Sequence, residues 1–313
     1  KPYTKMTVKP SAKIGVYYFV GLRMDIITFR IFLKNVVLAN IVICIIGIFL
    51  YITMPYFYLS FLQETQLNFS LPIFIQTPRL ISVIGSTAVG NLAAYSIPLL
   101  YLLYYKKSIG RALFYISISI FCLATAFSFQ RGAWIASVVS FSIAFTYYLK
   151  EVKSKSNKFT HALILIPILY LILINIFPNL AGASWINDRL RETNFEAIYS
   201  RSSQWYLAIE EFINRPLGHG IGAFSHRAIS HGYIGIPDGN YIRMLVEYGI
   251  VGTILFLILL MRALINTYRD NLYLFAALSV FVIQSIGSNV IDFPYTSCFF
   301  WFLLGYSEQK LML

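Results

Sequence analysis

Residues 34–58 decide the fold class of this chain, because they read KNVVLANIVICIIGIFLYITMPYFY and carry no charge after Lys34. A helix rises about 1.5 Å per residue, so a stretch of this length crosses the roughly 30 Å hydrocarbon core of a bilayer. Such an uninterrupted apolar run is typical of a transmembrane helix. The sequence therefore predicts a protein that spans a membrane.

The rest of the chain shares this apolar character. Of its 313 residues, 58% are hydrophobic and only 12% are charged, and the mean hydropathy is +0.68. Soluble domains carry about 25% charged residues, and a buried core does not explain so large a deficit. We therefore expect an all-α polytopic membrane protein.

Seven further apolar segments give, with Lys34–Tyr58, eight predicted spans. They are Val89–Tyr105, Ala112–Phe129, Trp134–Leu149, Phe159–Phe177, Glu247–Met261, Leu272–Gly287 and Thr296–Tyr306. The chain then divides into an interfacial lead-in at 1–33, five helices within 34–177, a large loop at 178–246, and three helices with a tail at 247–313. Because the first residue is Lys1 rather than Met, we expect further spans upstream.

The basic residues divide between the two sets of span ends. All 12 lysines lie at one set, whereas eight of the 13 arginines lie at the other set, where no lysine occurs. Lysine and arginine in short loops favour the cytoplasm. The lysine set is therefore predicted to be cytoplasmic and the arginine set periplasmic. Membrane topology then accounts for the net charge of +12, so the charge does not indicate nucleic-acid binding.

The eight periplasmic arginines suggest binding of an anion. They are Arg79, Arg131, Arg189, Arg191, Arg201, Arg215, Arg227 and Arg243. Arginine binds phosphate oxygens through a planar fork and keeps its charge near a membrane. Arg131 is placed in a short turn between two spans, where a charge is costly unless it faces a partner or a polar cavity. For Arg215, Arg227 and Arg243 we expect contact with lipid headgroups instead.

The large loop contains a glycine-rich constellation. It joins 199–205, which reads YSRSSQW, to 215–224, which reads RPLGHGIGAF. Glycine lets the backbone approach a ligand or another helix closely. The strand and helix of a dinucleotide site do not accompany it, so we reject that interpretation. Between the two parts, Leu207, Ile209, Phe212 and Ile213 predict a short amphipathic helix that lies against the membrane.

A second constellation lies at 237–252, which reads PDGNYIRMLVEYGIVG. Asp238 has two open interpretations, the N-cap of the following helix or a carboxylate that accepts a proton from a hydroxyl. The loop histidines, His219, His226 and His231, fit no helical zinc spacing, and one of them is a further candidate for a base or a hydrogen-bond donor. We expect no metal and no cofactor.

At these stretches the chain resembles the family of O-antigen ligases and O-antigen polymerases (Wzy-like), which are membrane glycosyltransferases. The matching pieces, in the family's order, are Arg79 and Gly90 with ten residues between them, FQRGA at 129–133, SR…W…PLGHGIGAF at 200–224 and NY…L…EYGIVG at 240–252. The resemblance implies a GT-C-like helical bundle with one large periplasmic loop, preceded by more spans.

The resemblance also implies a reaction and roles for residues. A glycan on undecaprenyl diphosphate would be transferred to an acceptor hydroxyl at the periplasmic face of the bacterial inner membrane, without nucleotide sugar or metal. Arg131 and Arg201 would stabilise the diphosphate leaving group, and Arg79 would position the donor. Arg189, Arg191 and Asn240 complete the implied substrate contacts. The implied partners are the lipid-linked donor and acceptor, membrane lipids and a chain-length regulator protein, with no nucleic acid.

Three hypotheses follow. Family ligases carry a histidine directly before the asparagine, whereas this chain has Gly239 before Asn240. The leading hypothesis is therefore an O-antigen polymerase with Asp238 as the base and His231 as the alternative base. The second is an O-antigen ligase that transfers the glycan to lipid A-core or to protein. The third is a transporter or flippase for the same lipid, although the nearly charge-free spans argue against it.

Overall fold

A computed structural model describes residues 10–53, 80, 82, 88–128, 130–151, 195–224, 238–291 and 293–309. The helices are α1 (Pro10–Arg23), α2 (Ile26–Thr53), α3 (Ala88–Tyr105), α4 (Arg111–Phe127), α5 (Arg131–Glu151), α6 (Phe195–Asn214), α7 (Asn240–Asp270), α8 (Leu272–Gly287) and α9 (Pro294–Glu308). Four of them, α2, α3, α5 and α7, are long and apolar enough to cross a membrane, and α4 and α8 are shorter apolar helices. The prediction of an all-α polytopic membrane protein is confirmed.

The predicted spans correspond to helices wherever they fall on described residues. The largest difference is α7, which runs from Asn240 to Asp270 rather than over Glu247–Met261. At its C-terminal end α7 continues past the apolar stretch because its backbone hydrogen bonds do not depend on side-chain polarity. At its other end the first residues of α7 precede a break at Gly249. The predicted span Phe159–Phe177 lies outside the described residues.

Helix α1 lies in the predicted lead-in and packs on α9. Two glycines allow this contact: a Cβ atom at Gly21 would collide with the Phe302 carbonyl, and one at Gly305 would collide with the Tyr18 carbonyl. Small residues let two helix backbones approach closely in a membrane protein. The glycines therefore fix α1 against the bundle.

Helix α3 is the centre of the bundle. It contacts α2, α4, α5, α8 and α9, and every residue from Ala88 to Leu103 is buried. Its neighbours interlock with it through aromatic rings, as where Tyr101 meets Phe114 of α4 and Phe141 of α5 edge to face. A helix buried on all sides needs no polar face, which explains why apolar residues predominate around all of α3.

The helices of the bundle begin and end at two opposite ends of the molecule. Tyr273, near the start of α8, contacts Tyr147 near the end of α5 and Tyr105 at the end of α3, with ring centroids 5.0 and 6.0 Å apart. We call this the lysine end, formed by the helix ends at Tyr105, Glu151, Asp270 and Leu272. The opposite end, formed by the helix ends at Ala88, Phe127, Arg131, Asn240 and Gly287, is the arginine end.

Candidate functional site

Arg131 is the first residue of α5 at the arginine end. The sequence placed it in a turn between spans, but the helix already begins there, since the Trp134 amide donates to the Gln130 carbonyl at 3.0 Å. The Trp134 indole also donates to the Thr125 carbonyl at 2.7 Å, which fixes α5 to the end of α4. The half-buried Arg131 thus stands where the amides of a helix N-terminus favour an anion.

Gly90 lets the start of α3 pack against the turn that precedes Arg131. A Cβ atom at Gly90 would lie 2.7 Å from the Ser128 Cβ and 3.2 Å from the Gln130 Oε1. The structural reason for a glycine at this position is therefore a close approach between chain segments. Arg79, which the sequence paired with Gly90, lies outside the described residues.

Helix α6 brings the large loop to the start of α7. The indole N–H of Trp205 donates to the backbone carbonyl of Asp238. Position 201 precedes Trp205 by four residues, about one turn on the same side of the helix. The residue predicted as the base therefore contacts α6 one turn beyond position 201.

The predicted amphipathic helix in this loop is present but is longer than expected. Helix α6 spans the whole of Phe195–Asn214 rather than a short piece. Leu207, Ile209 and Ile213 are exposed, whereas Phe212 packs beside Ala208 against α7 and the glycine-rich stretch. Contact of the exposed apolar side chains with a membrane stays a prediction.

The N-cap interpretation of Asp238 is wrong. The residue that caps α7 is Gly239, which has φ +117° and makes no side-chain capping bond. A Cβ atom at Gly239 would lie 2.6 Å from the Ile286 carbonyl oxygen. The following residue, Asn240, is buried and donates from its side chain to the Ser285 Oγ at 3.0 Å. Asp238 is thus half-buried beside the tight junction of α7 and α8.

The glycine-rich stretch crosses α7 at a break in that helix. Gly249 has φ +68° and ψ −174°, which are not helical values. A Cβ atom at Gly218 would lie 2.6 Å from the Gly249 nitrogen, and one at Gly249 would collide with Leu217. We call this contact, formed by 216–220 and 246–250, the glycine crossing.

The glycine crossing replaces hydrogen bonds that the break removes from α7. The amides of His219 and Gly220 donate to the carbonyls of Val246 and Glu247 at 2.9 and 3.0 Å, and the Ile250 amide donates to the Pro216 carbonyl at 3.0 Å. In hydrocarbon an unpaired backbone group costs several kcal/mol, so such an exchange is required of a broken helix. From the sequence these glycines were predicted only to allow a close approach of the backbone.

Glu247 anchors the end of the glycine-rich stretch. Its Oε1 accepts from the Phe224 amide at 3.1 Å and lies 3.2 Å from the Arg243 Nε. The prediction that Arg243 meets lipid headgroups is wrong, because its side chain is only 13% exposed and is paired one turn along the same helix. The Oε2 of Glu247 is buried and has no hydrogen-bond partner among the described residues.

His219 contributes to the glycine crossing rather than to the start of α7. Its Nε2 lies 3.3 Å from a carboxylate oxygen of Glu211, and its ring meets the Phe224 ring edge to face at 5.4 Å. Both contacts hold the turn between α6 and the crossing. His226 and His231 lie outside the described residues.

Two buried side-chain amides at the arginine end were not predicted from the sequence. Tyr95 of α3 stacks on Phe281 of α8 with ring centroids 5.2 Å apart, and Asn91 and Gln284 each lie about one turn nearer the arginine end. The Asn91 Nδ2 and both polar atoms of the Gln284 side chain have no hydrogen-bond partner among the described residues. The signal in the sequence was a polar residue inside an apolar span.

The structure thus gathers part of the predicted site at the arginine end. Arg131, the backbone of position 201, Asp238 and Asn240 all lie there, on α5, α6 and the start of α7. The side chain of Arg201 and the whole of Arg79, Arg189, Arg191 and His231 lie outside what the structure describes. Their roles stay predictions.

Comparison with models of known protein families gives a match. Residues 114–257 match the protein-family model described as O-Antigen ligase. The match runs from α4 through the glycine crossing into α7, so it contains Arg131, Arg201 and Asp238. No curated protein matches the chain.

Proposed function

We propose that this chain, whose residues 114–257 belong to the O-antigen ligase family, is a glycosyltransferase that joins lipid-linked oligosaccharide repeat units into a surface polysaccharide. The donor and the acceptor would both be carried on undecaprenyl diphosphate. The reaction would take place at the periplasmic face of the bacterial inner membrane, since the lysines lie at the other end. A GT-C-like bundle remains the expected fold type.

The bond between the Trp205 indole and the Asp238 carbonyl carries this proposal. It joins two segments 33 residues apart, one with a predicted diphosphate-binding arginine and one with a predicted base. Glycosyl transfer from a diphosphate requires both groups around one reacting carbon. The proximity of position 201 to Asp238 supports this chemistry more directly than either residue does alone.

The proposed reaction is a single inverting displacement. The carboxylate of Asp238 takes the proton from the acceptor sugar hydroxyl as the hydroxyl oxygen attacks the anomeric carbon of the donor. The bond between that carbon and the diphosphate oxygen breaks, and undecaprenyl diphosphate leaves with the electron pair. Arg131 and Arg201 stabilise the charge that develops on the diphosphate, as preorganised donors do in other transfers.

Gln284 is suited to the sugar rather than to the diphosphate, whereas the Asn91 Nδ2 is a donor that suits either. A diphosphate only accepts hydrogen bonds, whereas a sugar hydroxyl both donates and accepts them. Gln284 has a donor and an acceptor without partners among the described residues. A buried polar group left unpaired costs about 1–3 kcal/mol, so we expect the substrate to supply the missing partners.

The backbone at Gly239 supports a polymerase over a ligase. Family ligases carry a histidine at this position, directly before the asparagine. Here a φ of +117° and the nearby Ile286 carbonyl leave no room for any side chain without a backbone shift. Because Gly239 has no side chain, the base must be a neighbouring residue, and we assign this role to Asp238.

The ligase remains the second candidate because the matching family model is described by that activity. The test is purified full-length protein in vesicles that contain undecaprenyl-diphosphate-linked repeat units. A ladder of longer lipid-linked glycans supports the polymerase. Transfer only after lipid A-core is added indicates the ligase, and movement of the unmodified lipid between leaflets indicates a flippase. Either of the last two outcomes would overturn the polymerase proposal.

A further inference from the structure

A cavity of about 780 Å³ opens at the lysine end, on the opposite side of the bundle from the candidate site. It lies between the start of α2 and the ends of α3, α7 and α9. Its volume falls within the range of roughly 300–1,000 Å³ that is usual for small-molecule sites. None of the proposed catalytic residues contributes to it.

The floor of this cavity is apolar. Phe29 and Leu33 of α2, Leu103 of α3 and Leu274 of α8 contribute to it, and all four side chains are buried. Phe29 also stacks on Tyr306 of α9 with ring centroids 3.4 Å apart, which closes the floor on one side. Such a surface suits a hydrocarbon chain that enters from the bilayer.

The rim of the cavity is charged. Arg30 and Lys106 supply two cations, and Asp25 and Asp270 supply two anions, all of them exposed. Among the described residues neither Arg30 nor Lys106 has a carboxylate within ion-pair distance. The Oδ2 of Asp25 accepts hydrogen bonds from the backbone amides of Ile27 and Thr28, both at 3.1 Å. These bonds fix the position of Asp25 at the rim.

From these observations we infer that the cavity binds a zwitterionic phospholipid whose headgroup ends in a primary ammonium, such as phosphatidylethanolamine. The phosphate is held by Arg30 and Lys106, since basic pockets between helices at this depth bind lipid phosphates. The ammonium is held by Asp25 and Asp270, and an acyl chain covers the floor. This inference does not depend on the proposed glycosyltransferase activity.

The balance of charges selects among lipids. Phosphatidylglycerol also offers a phosphate, but its glycerol is uncharged and brings no cation to the carboxylates. Phosphatidylcholine carries a positive charge without N–H donors, so it forms no hydrogen bonds with the carboxylates. Glycerophosphoethanolamine has the same headgroup without acyl chains and therefore lacks the contacts of the floor.

The test is native mass spectrometry of the delipidated full-length protein titrated with each lipid. We expect phosphatidylethanolamine to bind most tightly and glycerophosphoethanolamine to compete weakly. The double variant Arg30→Gln with Lys106→Gln should bind it about 25-fold less tightly, because each cation near a lipid phosphate contributes about a factor of five. The matched control is Arg23→Gln with Lys107→Gln, which removes two exposed cations at the same end that do not line the cavity.

A second variant keeps the inference falsifiable if the first one misfolds. Asp25→Asn retains an oxygen for the start of α2, so combined with Asp270→Asn it removes the two charges with little local disturbance. This variant should lose the preference for phosphatidylethanolamine over phosphatidylglycerol. Equal binding of the two lipids by the unmodified protein, or unchanged binding by both double variants, would overturn the inference. Full competition by glycerophosphoethanolamine would overturn the role of the floor.

Discussion

The two ends of the bundle use basic residues in opposite ways. At the arginine end, Arg131 begins a helix and Arg243 is 13% exposed and paired with Glu247. At the lysine end, Arg30 and Lys106 are exposed around an open cavity. A partly buried cation must be held by a partner, whereas an exposed cation is held by water and headgroups.

The two ends also differ in how tightly their backbone conformation is restricted. The arginine end contains backbone conformations that only glycine adopts easily, at Gly218, Gly239 and Gly249. The described part of the lysine end shows positive φ only at Lys107, in an exposed turn. A residue with a side chain would be strained in these conformations, whereas glycine adopts them at little cost. Substitutions at the two ends should therefore differ in kind as well as in size.

The largest effect is expected from Asp238→Asn. Loss of a general base should reduce turnover by about 10²–10⁴. The bond from Trp205 goes to the backbone of Asp238, so it remains and the protein should still fold. Turnover is measured as lipid-linked glycan formed per unit time in vesicles. Normal turnover in Asp238→Asn together with inactivity of His231→Gln would move the base to His231.

The next effect is expected from Arg131→Lys and Arg201→Lys. Each keeps the charge but loses the planar fork, and removal of one such donor typically costs about 10²–10³ in rate. Arg215→Lys serves as the control, since Arg215 is exposed at the end of α6. Full activity of either test variant in the same assay would contradict its diphosphate role.

A graded loss of stability is expected along the glycine crossing. Gly218→Ala combines a φ of +91° with a Cβ atom 2.5 Å from the Glu247 carbonyl, so it should cost about 2–6 kcal/mol. Gly220→Ala has a similar φ but open space around it and should cost about 1–2 kcal/mol. Gly132→Ala in α5 meets nothing within 4 Å and should cost nothing. Unfolding in a titration with denaturing detergent measures all three, and equal losses would refute the close contact.

A smaller effect of opposite sign is expected from Gln284→Met. Replacing an unpaired buried amide by an apolar side chain of similar length should leave the free energy of unfolding unchanged or raise it by about 1–3 kcal/mol. Turnover should fall about tenfold for each hydrogen bond to the sugar that is lost. A more stable variant with normal turnover would show that Gln284 does not meet the substrate.

The smallest effect on turnover is expected at the lysine end from Arg262→Gln. Arg262 lies 2.8 Å from Glu308, and its own side chain is 57% exposed, whereas that of Glu308 is 6% exposed. Loss of the arginine leaves a buried carboxylate without its cation, so stability should fall by about 1–3 kcal/mol. Turnover should not change. A large loss of turnover would mean that the two ends are coupled, which the present contrast does not predict.

Much of this comparison was predictable from sequence, because apolar runs and basic residues report on the solvent of each segment. The runs gave the helix positions, and the lysine and arginine pattern gave the two ends. The pattern failed at Asp238, whose environment depends on distant segments, and at Arg243, which pairs with Glu247 one turn along its own helix. The contact of Asp238 with Trp205 is one example, and the position of Gly239 against the end of α8 is another. Neither leaves a periodic trace in the sequence.

The break at Gly249 has a consequence for the order of assembly during synthesis. The segment 216–220 leaves the ribosome before 246–250, so its amides wait for carbonyl partners that have not yet been made. At about 5–20 residues per second the interval is a few seconds. During that time α6 stays outside the bundle, and only its exposed apolar side chains are available to hold it at the membrane. The insertion of α7 is therefore the event that closes the candidate site.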